Sequence, residues 1–178
     1  MSPQPVLIGS WLSCLILLSV AAGTDLKHRR IPNEIVAAIA AIGLAQGLIT
    51  RPGQVWSSLL AGFLVFCGLG VLSFYRIIGG GDLKLISAVT LLVPPERVGQ
   101  LLIEIALAGG VLGCIYLLAG YALRSSSATS IAEEGARSEA GLALTIRTER
   151  DRIAAGGPMP YALAALGGAL IYVTRELV

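Results

Sequence analysis

Six runs of apolar residues set what this chain can fold into: Val6–Gly23, Ile35–Ile49, Val55–Tyr75, Leu83–Val93, Val98–Leu123 and Tyr161–Val173. A helix needs about 20 apolar residues to cross a hydrocarbon core of about 30 Å. The second, fourth and sixth runs are shorter than the others. They must borrow flanking residues or sit where the protein meets water inside the membrane. Backbone groups in lipid have to find their partners within the segment, which points to helices. No alternating pattern suggests a membrane barrel. Hydrophobic residues make up 55% of the chain and charged ones 13%, where soluble proteins average about 25% charge. The expected fold is therefore all-α: a polytopic membrane protein, a bundle of six transmembrane helices, with residues 1–178 as a single integral-membrane domain.

The basic residues orient the bundle. If Asp25–Asn33 faces the cytoplasm, alternation puts Lys27, Arg29, Arg30, Arg76, Lys84, Arg124, Arg137, Arg147, Arg150 and Arg152 on that side. Arg51, Arg97 and Arg175 alone fall outside. That asymmetry follows the positive-inside rule and leaves both termini away from the cytoplasm. No Lys or Arg precedes the first run, so it reads as a retained span and not as a secretory signal. Cys14, Cys67 and Cys114 each lie inside an apolar run without metal-like spacing, and read as small packing residues. His28, the sole histidine, sits beside Lys and Arg and reads as solvated.

Pro32-Asn33 breaks the chain after the first cytoplasmic turn, and Pro52-Gly53 and Pro94-Pro95 mark two outer turns. Residues 124–158 form the one long polar stretch, a cytoplasmic loop within the domain. Ser130 to Glu133 fits a capping box there. Leu142–Ala155 reads equally as a basic amphipathic surface helix or a solvated linker. Gly43/Gly47 and Gly109/Gly113 have the spacing that lets helices approach closely in lipid.

Against this apolar background the segment RIIGGGDLKL, Arg76–Leu85, stands out. Glycine is a poor helix former, and an aspartate near lipid is costly. Asp82 precedes the fourth run and Asp25 follows the first, so both fall at the cytoplasmic side. From Asp82 to Pro94 a helix rises only about 20 Å. If Pro94 lies near the outer surface, Asp82 lies below the inner one, in a polar cavity lined by Gly79–Gly81. Two carboxylates meeting there can share a proton and work as acid and base on water. On helix-end electrostatics, Asp82 at a helix N-terminus is the more readily ionised and Asp25 at a C-terminus the readier proton holder. The local pattern leaves plainer readings open: an aspartate before a helix is a common N-cap, and one beside basic residues a common ion pair. Glu104 falls near the outer end of its run and is expected at the interface.

Other chemistries lack their residues. GGGDLK does not have the order of a phosphate-binding loop, and neither G-x-S-x-G nor H-E-x-x-H occurs. Gly79-Gly80-Gly81-Asp82-Leu83-Lys84-Leu85, together with Asp25 and Ile31-Pro32-Asn33, resembles the bacterial type IV prepilin peptidases, intramembrane aspartic proteases with a G-x-G-D motif. Pro160-Tyr161-Ala162 resembles the stretch that opens that family's last span, with Ala162 where glycine is common. The chain begins directly with a span and lacks the paired zinc-binding cysteines of longer members. It thus resembles the short, peptidase-only form of tight-adherence (Flp-type) systems, without N-methyl transfer.

The resemblance implies an aspartic endopeptidase of the bacterial inner membrane that removes a short basic leader from a prepilin at the cytoplasmic face. Asp25 and Asp82 would be catalytic. Gly79, Gly80, Gly81, Lys84, Ile31, Pro32, Asn33, Pro160 and Tyr161 would shape the site. It implies no metal and no cofactor. Partners would be the prepilin and membrane lipid, not nucleic acid, with the pilus-assembly machinery as a candidate. Glu34, Glu133, Glu134 and Glu139 are candidates to meet the leader's positive charge. A small transporter or proton channel using the two aspartates as a relay is the alternative, and a presenilin-like protease with broader substrates a third.

Overall fold

A computed structural model describes residues 5–75, 78–126 and 161–177. The expectations for Arg76, Pro160, the capping box at Ser130, the Leu142–Ala155 helix and the loop carboxylates Glu133, Glu134 and Glu139 lie outside the described residues. Those that are described form six α-helices and two 3-10 turns, with no strand. The helices are α1 (Pro5–His28), α2 (Asn33–Thr50), α3 (Val55–Phe74), α4 (Gly80–Thr90), α5 (Val98–Ser126) and α6 (Tyr161–Leu177). Pro52–Gln54 and Pro95–Arg97 make the 3-10 turns. Each apolar run therefore became a helix, and each proline pair a turn.

Length divides the helices into two kinds. Four of them, α1, α2, α3 and α5, are long and apolar enough to cross a membrane. α4 has 11 residues, about 16 Å of rise, and cannot cross. α6, with 17 residues, is intermediate. The two short helices are the best buried. α4 hides Leu83, Leu85, Ile86, Ala88, Val89 and Thr90, and α6 hides Ala162, Ala164, Ala165, Ala169, Tyr172 and Val173. The long helices instead expose large apolar side chains such as Leu12, Ile16, Phe63, Leu64 and Leu107, as a lipid-facing surface requires. α3 and α2 pack on α4, while α5 and α1 pack on α6.

Small residues allow the close approaches. A Cβ at Gly168 would stand 2.4 Å from the Ile105 Cα, so α6 meets the α5 backbone directly there. Gly43 on α2 gives way to the chain at Leu91, where a Cβ would stand 2.8 Å from the Leu91 Cβ. Of the two G-x-x-x-G pairs, Gly43 and Gly109 make contacts, whereas a Cβ at Gly47 would meet nothing within 4 Å.

A helix ending inside a membrane leaves backbone groups that need partners. Beyond α4, Gln46 Nε2 donates to the Leu92 carbonyl at 2.9 Å, and Arg51 Nη2 donates to the same oxygen at 3.1 Å. Nearby, Glu104 is 3% exposed and accepts from Arg175 at 3.1 Å. The interfacial position expected for Glu104 is thus replaced by burial between α5 and α6, because a cation from α6 reaches it. Arg97 pairs with Glu176 at the same end. Cys14 is buried as expected, but Cys67 and Cys114 are exposed on helix faces.

Candidate active site

The opposite end of the bundle is built from two chain reversals that interlock. α1 ends at His28, three residues after Asp25. Arg29 adopts a left-handed conformation, φ 53°, and its N–H donates to the Asp25 carbonyl at 2.9 Å. This is the αL termination that glycine usually provides; an arginine there costs about 1–2 kcal/mol. Pro32, at φ −60° and ψ 133°, then leads into α2.

The second reversal precedes α4. Gly79 is the N-cap and Asp82 the third helical residue, the place from which an acid can reach back to the N-cap N–H. The Asp82 carboxylate does so, accepting from the Gly79 backbone. It lies so near that a Cβ at Gly79 would stand 2.7 Å from Asp82 Oδ2. A side chain at Gly79 would therefore press on the carboxylate that its backbone holds. Gly81 has another role, since a Cβ there would stand 3.5 Å from the Ile31 Cβ. Gly80 faces open space.

Two contacts bind the reversals together. Ile31 lies over Gly81, and Lys84 Nζ donates to Asn33 Oδ1 at 3.3 Å. The residues flanking each aspartate are those that bring the two loops into register. Asp25, on the last turns of α1, is 7% exposed, and Asp82 is half-buried. α4 is too short to span, so Asp82 sits outside the four long helices. Burial, and then the Asp25 charge, push its carboxyl from 3.8 up to about 6, against the opposing pull of the Gly79 bond. The two carboxylates are therefore close enough to feel each other.

A third element, expected at the site only through Pro160 and Tyr161, reaches Asp25 directly. The Ala162 N–H, in the first turn of α6, donates to Asp25 Oδ2 at 3.4 Å. Ala162 is fully buried. A helix N-terminus favours a negative charge, so Asp25 faces one from α6 just as Asp82 faces one from α4. The helix-end expectation that made Asp25 the proton holder considered only α1. With α6 in place that distinction disappears. The one signal in the sequence was the position of Ala162 in the Pro160-Tyr161-Ala162 stretch.

Of the other candidates, Tyr161 is half-buried at the start of α6, while Glu34 and His28 are exposed. Among the described residues no group of three or more His, Cys, Asp or Glu comes together as metal ligands would. The arrangement offers two acids, two helix N-termini and backbone donors, which suits proton transfer to and from a bound water. Residues 12–118 match a family model described as the type IV leader peptidase family. That span includes both aspartates and ends before α6. No curated protein and no solved structure matches the chain.

Proposed function

The chain belongs to the type IV leader peptidase family, and from that premise we propose that it is an intramembrane aspartic endopeptidase that removes the basic leader of a Flp-type prepilin at the cytoplasmic face. The observation that carries this reading is the coupling of Asp25 and Asp82 at one end of the bundle. Two like charges buried together are costly.

In the proposed reaction Asp25 is the base and Asp82 the acid. Asp25 takes a proton from a water held between the carboxylates, and the hydroxide adds to the scissile carbonyl carbon. Asp82 gives its proton to the carbonyl oxygen, leaving a tetrahedral diol. Collapse of the diol re-forms the carbonyl and breaks the C–N bond. The proton that Asp25 took goes to the departing amine, and Asp82 recovers one from the diol. The Ala162 N–H keeps Asp25 aimed, and the Gly79 N–H does the same for Asp82.

Co-expression with a Flp-type prepilin, read by gel shift, tests the proposal. The unaltered chain should shorten the prepilin, while Asp25→Ala and Asp82→Ala should not. Full cleavage by either variant removes that aspartate from the mechanism. The relay alternative predicts aspartate-dependent proton flux into liposomes without any cleavage.

A further inference from the structure

Two rows of residues run the length of α1 on opposite sides. Trp11, Cys14, Leu18, Ala22 and Asp25 are buried against the bundle. Leu12, Ile16, Val20, Gly23 and Lys27 are exposed. Steps of three or four residues keep each row on one face of a helix. Asp25 thus closes the row that faces inward, and Lys27 closes the row that faces outward. The helix dipole would favour a cation anywhere in this last turn; the place of Lys27 on the exposed face is what points it at a partner outside the bundle.

α1 is long and apolar enough to cross a membrane, so its outward row faces acyl chains from Leu12 to Gly23. An ammonium group on such a row reaches for the headgroups, and Lys27 therefore marks their level on α1. α3 gives the same level independently. Trp56 and Tyr75 are exposed at its two ends, about 28 Å apart along the axis. That separation matches a hydrocarbon core of about 30 Å with an aromatic residue at each interface. Tyr75 is at the aspartate end, for the chain passes from it to Gly79 and α4. Charge then selects the kind of headgroup. In the reversal after α1, Lys27, His28 and Arg30 are exposed and Arg29 is half-buried, with Glu34 the acid that follows. A zwitterionic headgroup brings its own ammonium to this excess of positive charge, whereas an anionic one brings a phosphate without it.

We infer that the α1–α2 reversal is a docking surface for an anionic phospholipid, its phosphate held by Lys27 and Arg30 and an acyl chain lying along the outward row of α1. The contact fixes the depth of Asp25, which precedes Lys27 by two residues, about 3 Å along the helix axis. The inference stands apart from the peptidase reading, since it uses only the faces of α1, the ends of α3 and the charge of the reversal.

Native mass spectrometry of the full chain, titrated in detergent with phosphatidylglycerol or phosphatidylcholine, tests the surface. Phosphatidylglycerol should bind more tightly. Lys27→Gln combined with Arg30→Gln should weaken its binding about thirtyfold, equivalent to about 2 kcal/mol for two cations, and leave phosphatidylcholine binding as it was. Lys27→Arg combined with Arg30→Lys keeps both charges and should keep the binding. Equal affinity for the two lipids, or an unchanged affinity for phosphatidylglycerol in the double Gln variant, would overturn the assignment. A phosphatidylglycerol with a photoreactive acyl chain then locates the site on the unaltered chain. Adducts on the outward row of α1 are expected, and adducts confined to other helices would overturn it. Displacement of the lipid by an equal concentration of inorganic phosphate would show a site for free anions and would also overturn the headgroup assignment.

Discussion

The two ends of this bundle both bury charge, and they do it in opposite ways. At the Glu104 end opposite charges meet: Glu104 with Arg175, and Arg97 with Glu176. Arg51 and Gln46 there satisfy the Leu92 carbonyl where α4 stops short, while Gln46 Oε1, Arg51 Nε and Nη1 and Glu104 Oε2 stay buried without a hydrogen-bond partner. At the aspartate end two like charges, Asp25 and Asp82, raise each other's cost of ionisation. The first end pairs its charges, and the second sets like charges together. Strain concentrates at the aspartate end as well, in the left-handed Arg29. Sites that chemistry needs are often held at a cost to stability, and here the two tasks are at opposite ends of the same helices.

The largest effect should come from deleting one carboxylate of the aspartate pair. Asp25→Ala or Asp82→Ala should lower the cleavage rate by about 10²–10⁴-fold, the usual worth of a positioned acid or base. Thermal unfolding in detergent should show Asp82→Asn at least as stable as the unaltered chain at pH 8. Its carboxyl titrates near 6 in the fold and at 3.8 ordinarily, so its favourable contribution is full below about pH 4 and lost as pH rises through 6. A large loss of stability in Asp82→Asn would break the contrast between the ends.

Next comes the seam between α5 and α6. Gly168→Leu places atoms where the Ile105 backbone already lies and should cost about 3 kcal/mol, the upper part of the overpacking range. Folded yield and the unfolding midpoint report it. Arg175→Ala should cost about 2 kcal/mol by leaving the buried Glu104 carboxylate without its cation, while cleavage per folded molecule is retained. Loss of kcat in that variant at unchanged stability would show the Glu104 end to be catalytic after all.

A smaller effect is in pH. If Asp82 must carry the proton, the rate should fall about tenfold per pH unit above 6, since each unit removes about 1.4 kcal/mol of protonated acid. A rate that climbs through pH 6–8 would exchange the roles of the two aspartates. The smallest effect is at Arg29→Gly, which should gain about 1 kcal/mol by relieving the left-handed backbone, read as a higher unfolding midpoint.

Hydropathy and breakers alone placed all six helices, because length and apolar content report what lipid tolerates. They could not say which helices would be central. α4 and α6 are the least membrane-like in length, yet they are the best buried; burial depends on neighbours, which a hydropathy window does not see. The aspartates were legible from their flanks, and the structure shows why those flanks matter: Ile31 on Gly81 and Asn33 to Lys84 join the loops. Hidden from sequence were partners supplied from afar. The Ala162 N–H comes to Asp25 across 137 residues, and Arg175 to Glu104 across 71. A backbone donor leaves no mark in residue type, and neither does the close passage of Gly168 over Ile105.

Infrared titration of the carboxyl stretch in lipid, on the unaltered chain and on Asp25→Asn, tests the meeting of the two acids most directly. Asp82 should titrate near 6 in the unaltered chain and at a clearly lower pH once the Asp25 charge is gone, with the part due to burial remaining. The same Asp82 titration in both proteins would mean that the two carboxylates do not meet.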